Sequence, residues 1–314
     1  MSRIHEALKK AEQERATIPG GPTPPTLAAT PVAELPTLVE EPLLPVNPAA
    51  AGGGTPRSAA MPSFGSPFSL DALLAGSTQM EWTPELGTML FLNGTDNARG
   101  SEEFRTLRSR LYHTRERMPL KKVLVTSALP KEGKSFTAAN LAQVLVRQHG
   151  RRVLLIDADL RGPRLHLMLG TTSSPGLSDY LRGEKDEFSI MQRGPLESLF
   201  FIPSGNQIEN PAELVANGRL KFLLQRVEPL FDWIIIDSPP AVPVSDSGVL
   251  AKVCDGVLIV VRCNTTPFDV ALKARQEFPE QALIGVVLNG AREDAAPYAR
   301  YYYEAYEKNG SATK

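Results

Sequence analysis

The chain has 314 residues, 42% hydrophobic and 22% charged, enough apolar material for one sizeable core or two small ones. A formal net charge of −1 gives no overall attraction for nucleic acid. Two cysteines, Cys254 and Cys263, cannot build a disulfide framework and lack zinc spacing, and no apolar run nears the roughly 18 residues that span a bilayer, so a reduced, cytoplasmic compartment is expected.

The opening "MSRIHEALKKAEQERA" lacks the apolar core of a secretory signal. It predicts a short helix over residues 1–17, with Ser2 as cap and Ile4, Leu8 and Ala11 on one face. Three readings stand side by side: a frayed end, a docking peptide for another protein, or a membrane-surface helix with a narrow, aromatic-free face. From Ile18 to about Pro67, Pro, Ala, Gly and Thr dominate. Such a stretch cannot bury enough apolar surface to offset its chain entropy. Residues 18–100 are therefore expected to be a mostly disordered linker, although 68–100 is ambiguous and "GTMLFLNG" can hold a short edge strand. A tether of about 50 residues lets the first helix range over tens of ångströms.

The folded domain is expected over residues 101–297. "SEEFRTLRSRLYHTRE" predicts a helix capped by Ser101, with Phe104, Leu107 and Leu111 as its apolar stripe. Beyond it, continuous Val/Ile/Leu runs predict strands at Lys122–Thr126, Val153–Asp157, Leu199–Pro203, Trp233–Asp237, Gly256–Val261 and Leu283–Leu288. Helices are predicted near Lys134–Gln148, Ala212–Gln225, Ser245–Val253 and Asp269–Glu277. Runs of that kind are covered on both faces, which points to an α/β fold: a doubly wound, mostly parallel sheet with crossover helices.

The decisive stretch is "VLVTSALPKEGKSFTAANLA". A strand runs into Ala128, Leu129, Pro130, Lys131, Glu132, Gly133, Lys134 and Ser135, and a helix follows through Phe136. This is the phosphate-loop pattern G-x-x-x-x-G-K-[ST] with Ala128 in place of the first Gly. Gly133 permits the backbone shape that lets successive N–H groups wrap an anion, and the helix N-terminus adds positive charge. Lys134 reaches the β- and γ-phosphates, and the Ser135 hydroxyl suits Mg²⁺. Asp157 and Asp159 stand two apart where the next strand emerges, and Asp237 ends a later one. Ligands in open parallel sheets bind beyond the carboxyl ends of the strands, and three carboxylates gathered there call for a cation. His5, His113, His149 and His166 are scattered and form no cluster.

These residues together resemble the bacterial tyrosine kinases of capsule and exopolysaccharide synthesis, a deviant Walker family unrelated to eukaryotic kinases. The resemblance runs from about Ser101 to the C-terminus, through "TSALPKEGKS", "LLIDADLRGPRLH", "IPSG" with "NPAELV", "IIIDSPPAVPVSD", "DGVLIVVR" and "GVVLN". It implies a P-loop fold binding ATP and Mg²⁺ and a non-specific protein-tyrosine kinase activity. Lys134 and Ser135 match the phosphate- and Mg²⁺-binding positions, and Asp157 the base near the tyrosine hydroxyl. Asp159 and Asp237 match positions that hold Mg²⁺ through water, and Asn289 one near the adenine. Arg161 could bind phosphate or hold Asp237. Glu102, Arg105 and Arg108 match a Glu-x-x-Arg-x-x-Arg motif that supports ring-like homo-oligomers; a solvated, internally paired face is the plainer reading of that spacing.

Residues 298–314 form a tail carrying Tyr298, Tyr301, Tyr302, Tyr303 and Tyr306, five of the seven tyrosines. They are the expected phosphoacceptors, reached from a neighbouring subunit, with an aromatic-rich helix packed on the domain as the alternative. The resemblance further implies a membrane-anchored activator or polysaccharide co-polymerase, bringing the protein to the inner face of the membrane without spanning it. Two rival readings remain. A partition-type positional ATPase would want a Lys where Leu129 stands. A nucleotide-gated scaffold would show little kinase activity.

Overall fold

The computed structural model describes residues 69–84, 87–91 and 100–291, which lie in one compact unit. The predicted N-terminal helix, most of the linker and the tyrosine tail lie outside the described residues.

Eight strands form one sheet: β1 (Thr78–Gln79), β2 (Lys122–Ser127), β3 (Val153–Asp157), β4 (Gln192–Arg193), β5 (Leu199–Ile202), β6 (Trp233–Asp237), β7 (Gly256–Arg262) and β8 (Leu283–Asn289). Their spatial order is β1-β4-β5-β3-β6-β2-β7-β8, and only β4 with β5 pairs antiparallel. All six strands expected from the apolar runs are present, within one or two residues at their ends. The helices are α1 (Leu70–Gly76), α2 (Ser101–Arg115), α3 (Lys134–Val146), α4 (Leu165–Leu169), α5 (Leu177–Leu181), α6 (Pro211–Ala216), α7 (Arg219–Val227), α8 (Asp246–Ala251) and α9 (Phe268–Gln276).

Alternation along the strands feeds two cores, because successive side chains leave a strand on opposite faces. Leu124, Ile156, Ile202, Ile236 and Ile259 face one way, beneath α5, α7, α8 and α9. Val125, Leu155, Phe201, Ile235 and Val260 face the other, beneath α2, α3 and α4. Both layers are closed to bulk solvent, with these residues at near-zero exposure. Among the described residues no helix is long and apolar enough to cross a membrane.

Four expectations need correction. The folded unit begins before Ser101: Leu73, Trp82, Met89, Leu90 and Phe91 are buried. Trp82 lies against the Gly194 backbone and edge-on to Phe201, and Phe91 edge-on to Phe104. This strap is pinned to α3, where the Asn140 amide accepts from Leu90 N–H at 2.8 Å and donates to Thr88 O at 3.0 Å. The edge strand in this region is Thr78–Gln79, whereas the described part of "GTMLFLNG", Gly87–Phe91, turns. Ser101 does not cap α2; Gly100 at φ 94° precedes the helix, and no side chain caps it. The single helix expected over 212–225 is split into α6 and α7 at Asn217-Gly218, where Gly218 has φ 82°.

Candidate nucleotide site

The sheet order puts the site together. β6 lies between β3 and β2, so Asp157 pairs in register with Asp237, and Asp237 with Val125. The phosphate loop leaves β2 two residues after Val125, at the same edge. Asp157 and Asp237 share strand parity with Leu155 and Ile235, so both carboxylates lie on the α3 face of the sheet.

The loop is held by its own acidic residue. Glu132 is buried; its Oε2 accepts Leu129 N–H at 2.7 Å, and its Oε1 accepts the Thr266 hydroxyl. The Ser127 hydroxyl donates to Leu129 O at 2.7 Å. Lys131 and Gly133 both have positive φ, 67° and 95°, the turn that sends the chain into α3. At Gly133 a Cβ would run into the Asn289 amide, whose Nδ2 donates to Glu132 O at 2.9 Å. Ala128, which stands where the usual pattern has Gly, is fully buried in the sheet's other core layer, so its methyl is absorbed by packing. Leu129 is half-buried, while Pro130 and Lys131 are exposed at the loop's outer rim. Phe136 packs edge-on to Phe104 behind it.

At the head of α3 the buried Lys134 Nζ lies 2.7 Å from Asp159 Oδ2, 3.9 Å from Asp237 Oδ2 and 3.2 Å from Ser135 Oγ. Asp157 is fully buried: its Oδ1 accepts Asp159 N–H at 3.3 Å and its Oδ2 accepts Leu165 N–H at 3.1 Å. Asp159 Oδ1 accepts Gly162 N–H at 3.0 Å. Neither oxygen of the fully buried Asp237 has a hydrogen-bond donor. Burial, then Asp237 and Asp159, push the Asp157 carboxyl well above the ordinary carboxylate range. Burial pushes Asp237 up to about 6, although the nearby Lys134 charge pulls it back. Burial opposes the Lys134 charge, yet the carboxylates of Asp237 and Asp159 outweigh it and raise its pKa.

Buried carboxylates around one ammonium, two of their oxygens lacking donors, fit a divalent cation. Among the described residues no group of three His, Cys, Asp or Glu side chains could hold a metal alone. A cation here would need Ser135 and ligand oxygens beside Asp159 and Asp237.

Two expectations change at the rim. Arg161 does not hold Asp237: its guanidinium is bidentate on the buried Asp246, at 2.7 and 3.0 Å. Glu102 and Arg105 pair with each other on α2, and Arg108 donates to Val144 O of α3 at 3.0 Å, so part of that motif is spent within the subunit. Asp246, Thr266 and the buried role of Glu132 were not singled out from the sequence. Their partners lie 85 and 134 residues away, and no spacing rule connects them.

A family model described as an AAA domain matches residues 131–271. The tyrosine-protein kinase YwqD of Bacillus subtilis is 34% identical over 211 residues, which are 67% of this chain and 88% of that protein. The chain belongs to the bacterial tyrosine kinases. The tyrosine-protein kinase wzc of Salmonella typhimurium is 32% identical over 217 residues, 68% of this chain but 30% of that longer protein. The kinase domain of the Escherichia coli tyrosine kinase ETK superposes with a TM-score of 0.62 at 29% identity, covering 68% of this chain and 84% of that one. In this family's company the loop at 128–135 is a P-loop, and the doubly wound sheet is that of the kinase domain.

Proposed function

We propose that this bacterial tyrosine kinase is an ATP-dependent autokinase that phosphorylates its own tail tyrosines between subunits. Through that cycle it regulates capsule or exopolysaccharide synthesis or export. The observation that carries the reading is the buried Lys134 ammonium, 2.7 Å from Asp159 and 3.9 Å from Asp237, at the head of the helix that follows the P-loop.

Main-chain N–H groups around Gly133 to Ser135 bind phosphate oxygens, helped by the positive end of α3. Lys134 neutralises the charge that develops on the transferred group. Ser135, Asp159 and Asp237 would hold Mg²⁺, which when bound supplies Lewis-acid stabilisation of the phosphate oxygens. Asn289, fixed by its bond to Glu132 O, flanks the loop where the base of the nucleotide is expected. Asp157 accepts the proton of the attacking phenol. Burial, with Asp237 and Asp159 beside it, raises its proton affinity towards that of a phenol, whose pKa is about 10, while the Lys134 charge opposes that rise. Each phosphotyrosine adds about −1.5 to −2 charges, so a phosphorylated tail loosens a ring held through Glu102, Arg105 and Arg108. A membrane-anchored activator supplies the membrane contact.

The test is incubation with labelled ATP and Mg²⁺, with and without a candidate activator's cytoplasmic tail, followed by phosphosite mapping. Label on Tyr298, Tyr301, Tyr302, Tyr303 or Tyr306, lost in Lys134→Met, is the expected result. ATP hydrolysis with no protein label under every activation condition would refute the kinase reading.

A further inference from the structure

We propose that Arg161 and Asp246 form a clamp that fixes the spacing of the carboxylates in the nucleotide site, making both of them positioning residues for magnesium–nucleotide binding. The inference rests on the functional reading above.

Two loops carry the acidic side chains. One leaves β3 and holds Asp157 and Asp159; the other leaves β6 at Asp237 and ends where α8 begins at Asp246. The loops are tied at their roots, where Ala158 N–H donates to Asp237 O at 2.9 Å. They are tied again at their far ends by the Arg161 fork on Asp246, through Nε at 2.7 Å and Nη2 at 3.0 Å. Among the described residues no other side-chain hydrogen bond joins residues 158–164 to 238–246.

Asp159 lies between root and clamp. Its own loop folds back on it through Gly162 N–H, one residue past Arg161, so a shift of Arg161 is passed to the carboxylate that holds Lys134. Asp246 is almost fully buried and pairs with the guanidinium facing it, so removing either partner leaves the other's bonds unmade. A bidentate fork fixes angle as well as distance, which a single ammonium does not. Among the described residues neither side chain makes a hydrogen bond or ion pair with the phosphate loop or Lys134; the pair's leverage is on where Asp159 stands relative to Asp237.

The experiment measures ADP uptake by calorimetry on the full chain, with Mg²⁺ varied, for the wild type, Arg161→Gln, Asp246→Asn and the double variant. Melting curves report folding. Each single variant is expected to need about tenfold more Mg²⁺ for the same ADP affinity, with metal-free ADP binding nearly unchanged. The double variant is expected to be no worse than either single one, because the two side chains act as one unit. Folded single variants with wild-type Mg²⁺ dependence, or strictly additive losses, overturn the clamp. If the neutral variants do not fold, Arg161→Lys decides: it keeps the charge and loses the fork, so a raised Mg²⁺ requirement supports the clamp and wild-type behaviour overturns it. Wild-type protein that takes up no Mg–ADP overturns the functional reading and the clamp's role together. Wild type that binds, beside variants that bind equally well, overturns the clamp alone.

Discussion

Asp237 should be a residue that costs stability to keep. It is fully buried, neither oxygen has a donor, and Lys134 Nζ stands 3.9 Å away but lies closer to Asp159, at 2.7 Å. Its carboxyl is raised from 3.8 to about 6, which at about 1.4 kcal/mol per unit amounts to roughly 3 kcal/mol. The sign follows from proton counting. Between about pH 4 and pH 6 the native protein holds more of this proton than the unfolded chain does, so stability falls as pH rises through that window. Above it the full cost of a buried, ionised carboxylate is expressed. Asp237→Asn removes that cost without changing the side chain's shape. The variant should be more stable than wild type at pH 7.5 by up to about 3 kcal/mol, or about 6–12 °C in melting temperature for a domain of this size. Near pH 4 the two should converge. Urea denaturation at both pH values, without nucleotide, measures this, and calorimetry should find the variant's Mg²⁺-dependent ADP binding lost. Wild-type protein as stable as the variant at pH 7.5, or a difference that does not shrink on acidification, would refute the reasoning.

Three further outcomes are expected. Gly133→Ala should abolish nucleotide binding: φ is 95° and the new methyl collides with the Asn289 amide, so about 1–2 kcal/mol of backbone strain adds to a displaced loop. Calorimetry with Mg–ADP and a melting curve separate the two effects. Trp82→Ala should cost about 3–5 kcal/mol, because the ring is buried on Gly194 and Phe201; a loss below about 1 kcal/mol in chemical denaturation would show that the strap is not part of the folded unit. Removing residues 292–314 should leave Mg–ADP affinity unchanged while eliminating self-labelling from ATP; label persisting at Tyr112 or Tyr180 would move the acceptor into the domain.

Local sequence was enough for much of the fold. The long strands β2, β3, β5, β6 and β7 are legible because each is covered on both faces and is therefore almost uniformly apolar, whereas the edge strand β8 is equally apolar in sequence yet leaves Val286 and Leu288 exposed. The P-loop is legible because an anion cradle needs a strand end, a glycine, a lysine and a helix start in immediate succession. The strap was missed because its apolar residues, Trp82 and Met89–Phe91, are short clusters in a linker-like composition; Phe201 and Asn140 meet them from far along the chain, and Phe104 from the helix that follows. The start of α2 was misassigned because a serine beside a glycine reads as a cap, whereas the turn at φ 94° needs the glycine.

The sequence by itself determined that the chain has a phosphate loop and acidic residues at strand ends, since each depends on neighbours a few positions away. Only the tertiary structure decided that β6 lies between β3 and β2, bringing Asp157, Asp237 and Lys134 into one buried cluster. It also decided that Arg161 belongs to Asp246 and that Glu132 is gripped by Thr266. Strand order and long-range ion pairs are settled by the packing of whole layers. The free energy of those layers is shared among residues a hundred positions apart, and no local pattern records it.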